Sequence, residues 1–159
     1  KSQDHTLSVF FKGLGLEPFT PEYNIQAFLE SCRNRKLRLK SLLLDQGFVA
    51  GIGNIYADEV LFEARLHPSR TILSLRRKEK SKLFKVIPEV LKRGIASRGT
   101  TFRNYVNSDG EPGAHQEALQ VYGRKGEVCH RCKGVIHRIV ISQRGTHFCP
   151  FCQPLSGPV

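Results

Sequence analysis

Apolar residues recur at helical spacing in four stretches of the first hundred residues. Thr20 can cap a helix and Pro21 suits its first turn, so the first helix is predicted from Pro21 to about Asn34. The same spacing predicts three more helices, over residues 37–46, from Asn54 or Ile55 to about Leu66, and from Lys78 to about Ser97. Pro88 predicts a kink or a break in the last of them. This part of the chain is therefore expected to be mainly α-helical.

The pattern changes near the C-terminus to that of a β-hairpin. Residues 135–141 are rich in β-branched apolar side chains, residues 142–145 are turn-like, and residues 146–148 return as a second short strand. This arrangement places Arg144 at or beside the tip of the hairpin.

Four cysteines flank this hairpin in two pairs. Cys129 and Cys132 form one C-x2-C pair, Cys149 and Cys152 form the other, and sixteen residues separate the pairs. This spacing predicts one tetrahedral four-thiolate zinc site, which is closed and structural. Two disulfides, or an iron site with the same ligands, are the alternatives. Cys32 has no partner and is expected to be a buried free thiol.

Composition indicates an anionic partner. Twenty-five Lys and Arg against 14 Asp and Glu give a net charge of +11, which favours nucleic acid as the partner. An anionic membrane surface is the rival, but no apolar run reaches the roughly 20 residues of a spanning helix. Free thiols indicate a reducing compartment. Without a heptad pattern or a large apolar stripe we expect a monomer, and without any methionine we expect a fragment of a longer protein.

The segment between the second and third helices holds Gly47, Gly51 and Gly53, followed by Asn54 in position to cap the third helix. A helix N-terminus of this kind can bind phosphate. The glycines match neither the phosphate-binding loop nor the dinucleotide fingerprint. Taken alone, they favour a tight connection between two helices.

Three motifs together resemble the Fpg/Nei (MutM) family of DNA base-excision repair glycosylases. The run LLLDQGFVAGIGNIYADE, ending at Glu59, resembles the helix–two-turns–helix signature. GTTFRNYVN at 99–107, with VYGR at 121–124, is similar to the lesion-facing loop and its return. The cysteine unit with RGTHFCP at 144–150 is similar to the family's zinc finger. The loop and the finger resemble the formamidopyrimidine branch more than the pyrimidine-specific one.

The resemblance implies a fold and a domain organisation. The fold is mainly α, a helix–two-turns–helix helical domain followed by a small β-hairpin zinc finger with four cysteine ligands. Residues 1–19 would be a linker from an N-terminal domain, residues 20–124 the DNA-binding domain with its lesion-facing loop at 99–120, residues 125–153 the zinc finger, and residues 154–159 a tail.

It also implies roles for individual residues. Asn54 and Arg144 would clamp the phosphates around the damaged nucleotide, with Lys40 supplying positive charge nearby. Tyr56 would be a further DNA-binding residue, and Tyr56 and Tyr122 would position backbone or loop. Arg124 belongs to the loop's return. The base-reading loop would comprise Thr100, Thr101, Phe102, Arg103, Asn104 and Tyr105. Without the resemblance, Lys40 is interpreted as a solvated surface residue and both tyrosines as core-edge residues.

The implied activity is that of a bacterial, cytoplasmic, nucleoid-associated glycosylase and AP lyase. It would remove oxidised purines such as 8-oxoguanine or formamidopyrimidines from duplex DNA and nick the strand by β,δ-elimination. The family's nucleophile is an N-terminal proline followed by glutamate, and no position here matches it, since the chain begins Lys1, Ser2, Gln3. No catalytic residue is therefore predicted in this chain, which is expected to be inactive without an N-terminal catalytic domain. His115, where the family often has an aromatic residue, is a smaller departure.

Two other functions fit the same residues. One is a non-enzymatic, zinc-dependent module that binds damaged DNA. The other is a zinc-ribbon adaptor whose basic surface binds an acidic protein. The two are separated by salt dependence, because affinity for DNA falls with salt by a slope of about −0.9 for each phosphate neutralised.

Overall fold

The structure, a computed structural model, describes residues 14–96 and 119–155. Within these ranges the chain forms a helical part followed by one antiparallel hairpin, so the predicted fold class is confirmed. The helices are α1 (Ile25–Cys32), α2 (Leu39–Leu44), α3 (Asn54–Ala64) and α4 (Arg77–Ala96), with a 3₁₀ turn at Ile72–Ser74, and the strands are β1 (His137–Ile141) and β2 (Arg144–Phe148). Among the described helices, none combines the length and the apolar character needed to span a membrane.

The start of α1 differs from the prediction. Asn24 is the N-cap, and its Oδ1 accepts a hydrogen bond from the Ala27 amide at 2.9 Å. The predicted cap, Thr20, instead donates its hydroxyl to the Glu17 carbonyl at 2.8 Å. Because that hydroxyl is engaged in a turn, the helix begins four residues after Pro21, at Ile25.

Two tight turns join α2 to α3. The Gln46 side chain braces them, because its Oε1 accepts from the Gly51 amide at 2.7 Å and its Nε2 donates to the Ile52 carbonyl at 3.2 Å. Gly51 has a φ of 96°, which glycine adopts without strain. Gly15 and Leu16, which belong to the range predicted as a linker, form backbone hydrogen bonds with Gln46, Phe48 and Ala50.

Helix α3 lies between α4 and the hairpin, and it packs against both. Tyr56 faces α4, where its hydroxyl occupies the space that a side chain at position 94 would need, so Gly94 allows the close approach. Asp58 faces β2, where it hydrogen-bonds to His147. Two residues span about 200° around a helix, so α4 and the hairpin lie on opposite sides of α3.

Two apolar clusters follow from this layering. The larger is built from residues of the helical part, between Tyr23 and Leu91. The smaller joins Phe62 of α3 to Val121 and to four residues of the zinc-finger segment, which are Cys129, Ile136, Cys149 and Cys152. Because Phe62 packs among residues of the finger, the second cluster ties the finger to the helical part.

Helix α4 runs without interruption through Pro88, so the alternative of a break there is wrong. Proline has no N–H to offer the carbonyl four residues earlier, which is that of Phe84. The Tyr23 hydroxyl donates to this carbonyl at 2.7 Å, and its ring stacks on Phe84 with centroids 4.5 Å apart. A hydroxyl from another part of the chain thus supplies the hydrogen bond that proline cannot make.

We predict that Tyr23→Phe lowers the free energy of unfolding by about 1 to 3 kcal/mol, because a part-buried carbonyl loses its donor. In a Pro88→Ala background the alanine amide can bond to the Phe84 carbonyl, so the same substitution is expected to cost less. Urea denaturation of the wild type, Tyr23→Phe, Pro88→Ala and the double variant measures the cost of Tyr23→Phe in each background. Equal costs in the two backgrounds would show that Tyr23 does not compensate for Pro88.

Candidate zinc and nucleic-acid site

The four predicted zinc ligands converge on one point. Their sulfur atoms all lie within 4.8 Å of one another, with 3.8 Å between Cys129 and Cys152 and 3.4 Å between Cys132 and Cys149. Tetrahedral zinc with Zn–S bonds of about 2.3 Å requires sulfurs about 3.8 Å apart. The Arg131 amide donates to the Cys129 sulfur at 3.4 Å and the Gly134 amide to the Cys132 sulfur at 3.3 Å, as suits thiolates. The site is therefore suited to one structural zinc ion.

The hairpin that this site closes turns through two residues. Ser142 and Gln143 have φ values of 50° and 67°, the signature of a type I′ turn, and Ile141 pairs with Arg144 across it. Arg144 is therefore the first residue of β2 and is exposed beside the tip, as the sequence predicts.

The carbonyl of Gly145 fixes this tip against the helices. It accepts from the Asn54 side-chain amide at 3.3 Å and from the Lys40 ammonium at 3.1 Å. The prediction that Asn54 caps α3 is wrong, because its side chain turns to the hairpin and Gly53 occupies the cap position without a side-chain hydrogen bond. Asn54 and Arg144, which are 90 residues apart in the sequence, are thereby brought to neighbouring positions.

Lys40 is fully buried, so its interpretation as a solvated surface residue is wrong. Its ammonium forms an ion pair with Asp58, which is also fully buried. The other oxygen of Asp58 accepts from the His147 amide at 2.9 Å and contacts its ring Nδ1 at 3.0 Å. Burial lowers the pKa of Lys40, and the nearby Arg144 lowers it further, while Asp58 opposes both effects. The predicted contribution of Lys40 to phosphate binding stays a prediction.

Glu59 anchors the segment that follows residue 118. Its carboxylate accepts three backbone hydrogen bonds, from Gln120 at 2.8 Å and from Val121 and Tyr122 at 2.9 Å each. Burial raises the pKa of Glu59, and these three bonds oppose that rise. Three amides therefore hold residues 120–122 on α3.

The comparisons with known proteins agree with this architecture. The sequence model of a protein family, the formamidopyrimidine-DNA glycosylase H2TH domain, matches residues 14–106, which is more than half of the chain. The chain belongs to the formamidopyrimidine-DNA glycosylase family. A second family, described as a zinc finger found in FPG and IleRS, matches residues 126–155.

Relatives of this family are similar over most of the chain. The formamidopyrimidine-DNA glycosylase of Heliobacterium modesticaldum is 51% identical over 140 residues, covering 88% of this chain and 50% of that protein. The crystal structure of the MutM (Fpg) protein of Thermus thermophilus has a TM-score of 0.81 at 42% identity, over 92% of this chain and 55% of that one. A complex of Lactococcus lactis Fpg with abasic-site DNA has a TM-score of 0.83 at 40% identity, and the match covers 95% of this chain and 56% of that one. The chain thus spans about half the length of these relatives.

The remaining predicted residues lie apart from the tip or outside the described residues. Tyr56 faces α4, and its contact with DNA stays a prediction. Tyr122 packs edge-on against His147, with centroids 4.9 Å apart. Arg124 braces its own turn, because it donates to the Val128 carbonyl at 2.7 Å and to Glu127 at 2.9 Å. The lesion loop residues Thr100 to Tyr105 lie outside the described residues, as does His115.

Sequence reasoning missed the polar residues that join the finger to the helices. Besides Asp58, buried Gln153 accepts from the Cys149 amide at 2.8 Å and donates to the Leu66 carbonyl at 2.9 Å. Arg131 lies 4.1 Å from the centre of the Phe62 ring and donates to the Phe62 carbonyl. In this member of the family, the finger and the helices are packed together through these contacts.

His67 gives this contact region a pH dependence. Its Nδ1 accepts from the Ser69 amide at 3.0 Å, and its ring packs 4.6 Å from Phe148. Burial, assisted by Arg70, lowers the pKa of His67, so the folded state favours the neutral ring. The neutral His67 ring therefore contributes fully to the stability of the fold at pH values above about 6.5, the ordinary pKa of histidine. This contribution is lost as the pH falls below that value.

We predict that His67→Asn reduces the loss of stability between pH 8 and pH 5.5. Asparagine can accept the Ser69 N–H in the same turn but does not titrate. Thermal unfolding of both proteins at the two pH values measures the difference. An unchanged pH dependence would assign it to other groups.

Proposed function

We propose that this chain is the DNA-binding half of a base-excision repair glycosylase and AP lyase that acts on oxidised purines. Removal of bases such as 8-oxoguanine and formamidopyrimidines, followed by β,δ-elimination, would require a separate N-terminal catalytic domain of the same protein. The parent protein would work as a monomer in the bacterial cytoplasm, at the nucleoid. The chain alone is expected to bind duplex DNA with an oxidised base or an abasic site but not to cleave it.

The observation that carries this proposal is the shared hydrogen bonding at Gly145. Because its carbonyl is held by Asn54 and Lys40, the exposed guanidinium of Arg144 starts from a fixed backbone position beside the N-terminus of α3. A Cβ built at Gly53 meets nothing within 4 Å, so a ligand can approach this helix end closely. Helix N-termini and arginine forks both favour phosphate, and two such groups side by side suit adjacent phosphates of one bent strand.

The charge balance supports the same assignment. Lys40 and Arg144 are near enough for Arg144 to lower the pKa of Lys40, and Asp58 neutralises only one of these two cations. The excess positive charge at the tip would be neutralised by a DNA phosphate. In the relatives, a Lactococcus lactis Fpg with 40% identity is bound to DNA containing an abasic site.

The test is fluorescence anisotropy with a duplex that contains a stable abasic-site analogue and with its undamaged twin. We expect the chain to bind the abasic duplex more tightly, and Arg144→Gln to lower that affinity about tenfold, as for the loss of one charge-assisted contact. The matched control is Lys133→Asn, which removes one exposed charge from the turn after Cys132. Lys133 has a φ of 69°, and asparagine tolerates this left-handed backbone conformation. Equal binding to both duplexes by all three proteins would leave only bulk charge and overturn the assignment of the Asn54 and Arg144 clamp.

The absence of catalysis is tested separately with an 8-oxoguanine duplex. No strand scission is expected from the chain alone. Scission at the rate of an intact glycosylase would show that this part of the proposal is wrong.

A further inference from the structure

Helix α4 carries a row of cations on its outer face that the clamp does not use. Lys78, Lys82, Lys85 and Lys92 are all exposed and follow one another at intervals of four, three and seven residues. These intervals place them on one side of the helix. The opposite side is buried and includes Leu83, Val86, Ile87 and Val90. We call these four lysines the α4 stripe.

No lysine of the α4 stripe forms an ion pair within the described structure. Across residues 14–96 and 119–155, the ion pairs of α4 are Arg70 with Glu79 and Arg93 with Glu63, and none involves a stripe lysine. One exposed acid, Glu89, lies among the four cations. The helix also begins with Arg77 and Lys78, although positive charge near a helix N-terminus is unfavourable. The stripe therefore keeps three positive charges in excess of its one acidic neighbour, and none of its lysines is paired inside the described part of the chain.

The α4 stripe is separate from the clamp at the hairpin tip. Helix α3 lies between α4 and the hairpin, and the stripe is on the side of α4 that faces away from the core. Packed helix axes are about 8 to 10 Å apart, so a charge on the outer face of α4 lies more than one Debye length, about 8 Å at physiological salt, from the hairpin tip. Charges on the stripe therefore add little to the potential felt by a phosphate at Arg144.

The dimensions of the stripe match a segment of duplex. The fourteen-residue interval from Lys78 to Lys92 spans about 21 Å at 1.5 Å per residue. This length corresponds to about six base-pair steps at 3.4 Å along one strand. Lysines bind phosphate as point charges and read no base sequence, so a row of them suits a regular polyanion of any sequence.

We propose that the α4 stripe is a second duplex-binding surface, which holds a different DNA segment from the one held by Asn54 and Arg144. A protein with two such surfaces can bind a new segment before it leaves the old one. Its transfer between duplexes then depends on the concentration of the second duplex. This inference concerns undamaged DNA and does not depend on damage recognition at the clamp.

The experiment measures the release of a fluorescent duplex from the 159-residue chain by stopped flow, with increasing unlabelled duplex as competitor. For the wild type we expect a release rate that rises linearly with competitor concentration. The stripe variant replaces Lys78, Lys82, Lys85 and Lys92 with glutamine, and its release rate is expected to be independent of competitor. Circular dichroism checks that this variant keeps its helices, since glutamine is a good helix former.

The matched control removes the same charge elsewhere, through Arg33→Gln, Lys36→Gln, Lys125→Gln and Lys133→Asn. It is expected to keep the competitor dependence of the wild type. A wild-type rate that does not change with competitor, or a stripe variant with the wild-type slope, would overturn the inference. So would binding of the stripe to an acidic polypeptide in preference to duplex, measured by competition with polyglutamate.

The two proposals fail in different ways. If the clamp does not recognise damage, the wild type shows no preference for the abasic duplex, yet the competitor dependence remains with an undamaged labelled duplex. If the stripe does not bind DNA, the preference for the abasic duplex remains and the competitor dependence is lost.

Discussion

Replacement of Asp58 by asparagine is expected to destabilise the folded chain by about 3 to 5 kcal/mol, as for the loss of one partner of a buried ion pair. The reason is the environment of Lys40, which is fully buried and, among the partners that the described residues provide, keeps the Gly145 carbonyl as its acceptor. Asparagine retains the shape of the side chain and one oxygen that can accept from the His147 amide. The effect therefore measures the lost negative charge more than lost packing.

The double variant Lys40→Met/Asp58→Asn is the matched control. It removes both charges together, so it is expected to be more stable than Asp58→Asn alone. Urea denaturation of the wild type, both single variants and the double variant gives the coupling free energy. Additive losses would show that the ion pair does not stabilise the fold.

The Asp58→Asn variant also has a distinct pH dependence. Without the carboxylate, the pKa of Lys40 in the folded state should fall further below its ordinary value, since burial is the largest cause of the existing shift. The unfolded chain then binds more protons than the folded one, so the stability of the variant rises with pH toward the ordinary pKa of lysine. Urea denaturation at pH 7 and pH 9.5 should therefore show a larger gain for this variant than for the wild type.

The same residues show what the sequence can and cannot predict. The C-x2-C pairs and the alternating strand pattern are local, and they correctly predicted the four-thiolate site and the position of Arg144 beside the tip. The burial of Lys40 is not local, because its partners are 18 and 105 residues away. Lysine is rarely fully buried unless paired, so without the tertiary fold a surface interpretation is the natural one.

The predicted start of α1 is wrong for a different reason, which is local. Thr20 and Asn24 can both cap a helix, and the choice between them depends on the turn that engages the Thr20 hydroxyl. Pro88 indicates a missing hydrogen bond, but the donor that replaces it is Tyr23, 61 residues from the accepting Phe84. Local patterns thus predicted the types of the elements. The start of α1 depends on which of two nearby side chains caps the helix, and the continuity of α4 depends on a long-range hydrogen bond.

Removal of zinc is expected to abolish the tight binding of abasic-site DNA while most of the helical part stays folded. Structural zinc contributes about 10 to 16 kcal/mol of binding free energy in zinc-finger peptides, more than a small hairpin can replace. Three members of the second apolar cluster are themselves ligands, namely Cys129, Cys149 and Cys152. The larger cluster draws on residues between Tyr23 and Leu91 and includes no zinc ligand.

Unfolding of the hairpin would disrupt the clamp of Asn54 and Arg144, because it would displace the Gly145 carbonyl. When this carbonyl is no longer fixed, Asn54 loses a hydrogen-bond partner and Arg144 loses its defined position. Hydrogen exchange should therefore show lost protection in β1, β2 and residues 120–122, with protection largely kept in α1 and α4. Loss of protection throughout the chain would show that the two clusters do not unfold separately.

Two cysteine variants distinguish the effect of losing the zinc ion from the effect of losing a cysteine side chain. Cys152→Ala is expected to bind no zinc and to lose the preference for the abasic duplex. Cys32→Ala is the control, because Cys32 lies in the larger cluster, away from the four ligands, and the variant should keep one zinc per chain. Zinc release measured with a chromogenic chelator, together with anisotropy, tests both variants. Retained damage preference in the zinc-free Cys152→Ala protein would mean that the hairpin tip does not position Arg144, because the clamp would then function without the metal that closes the hairpin.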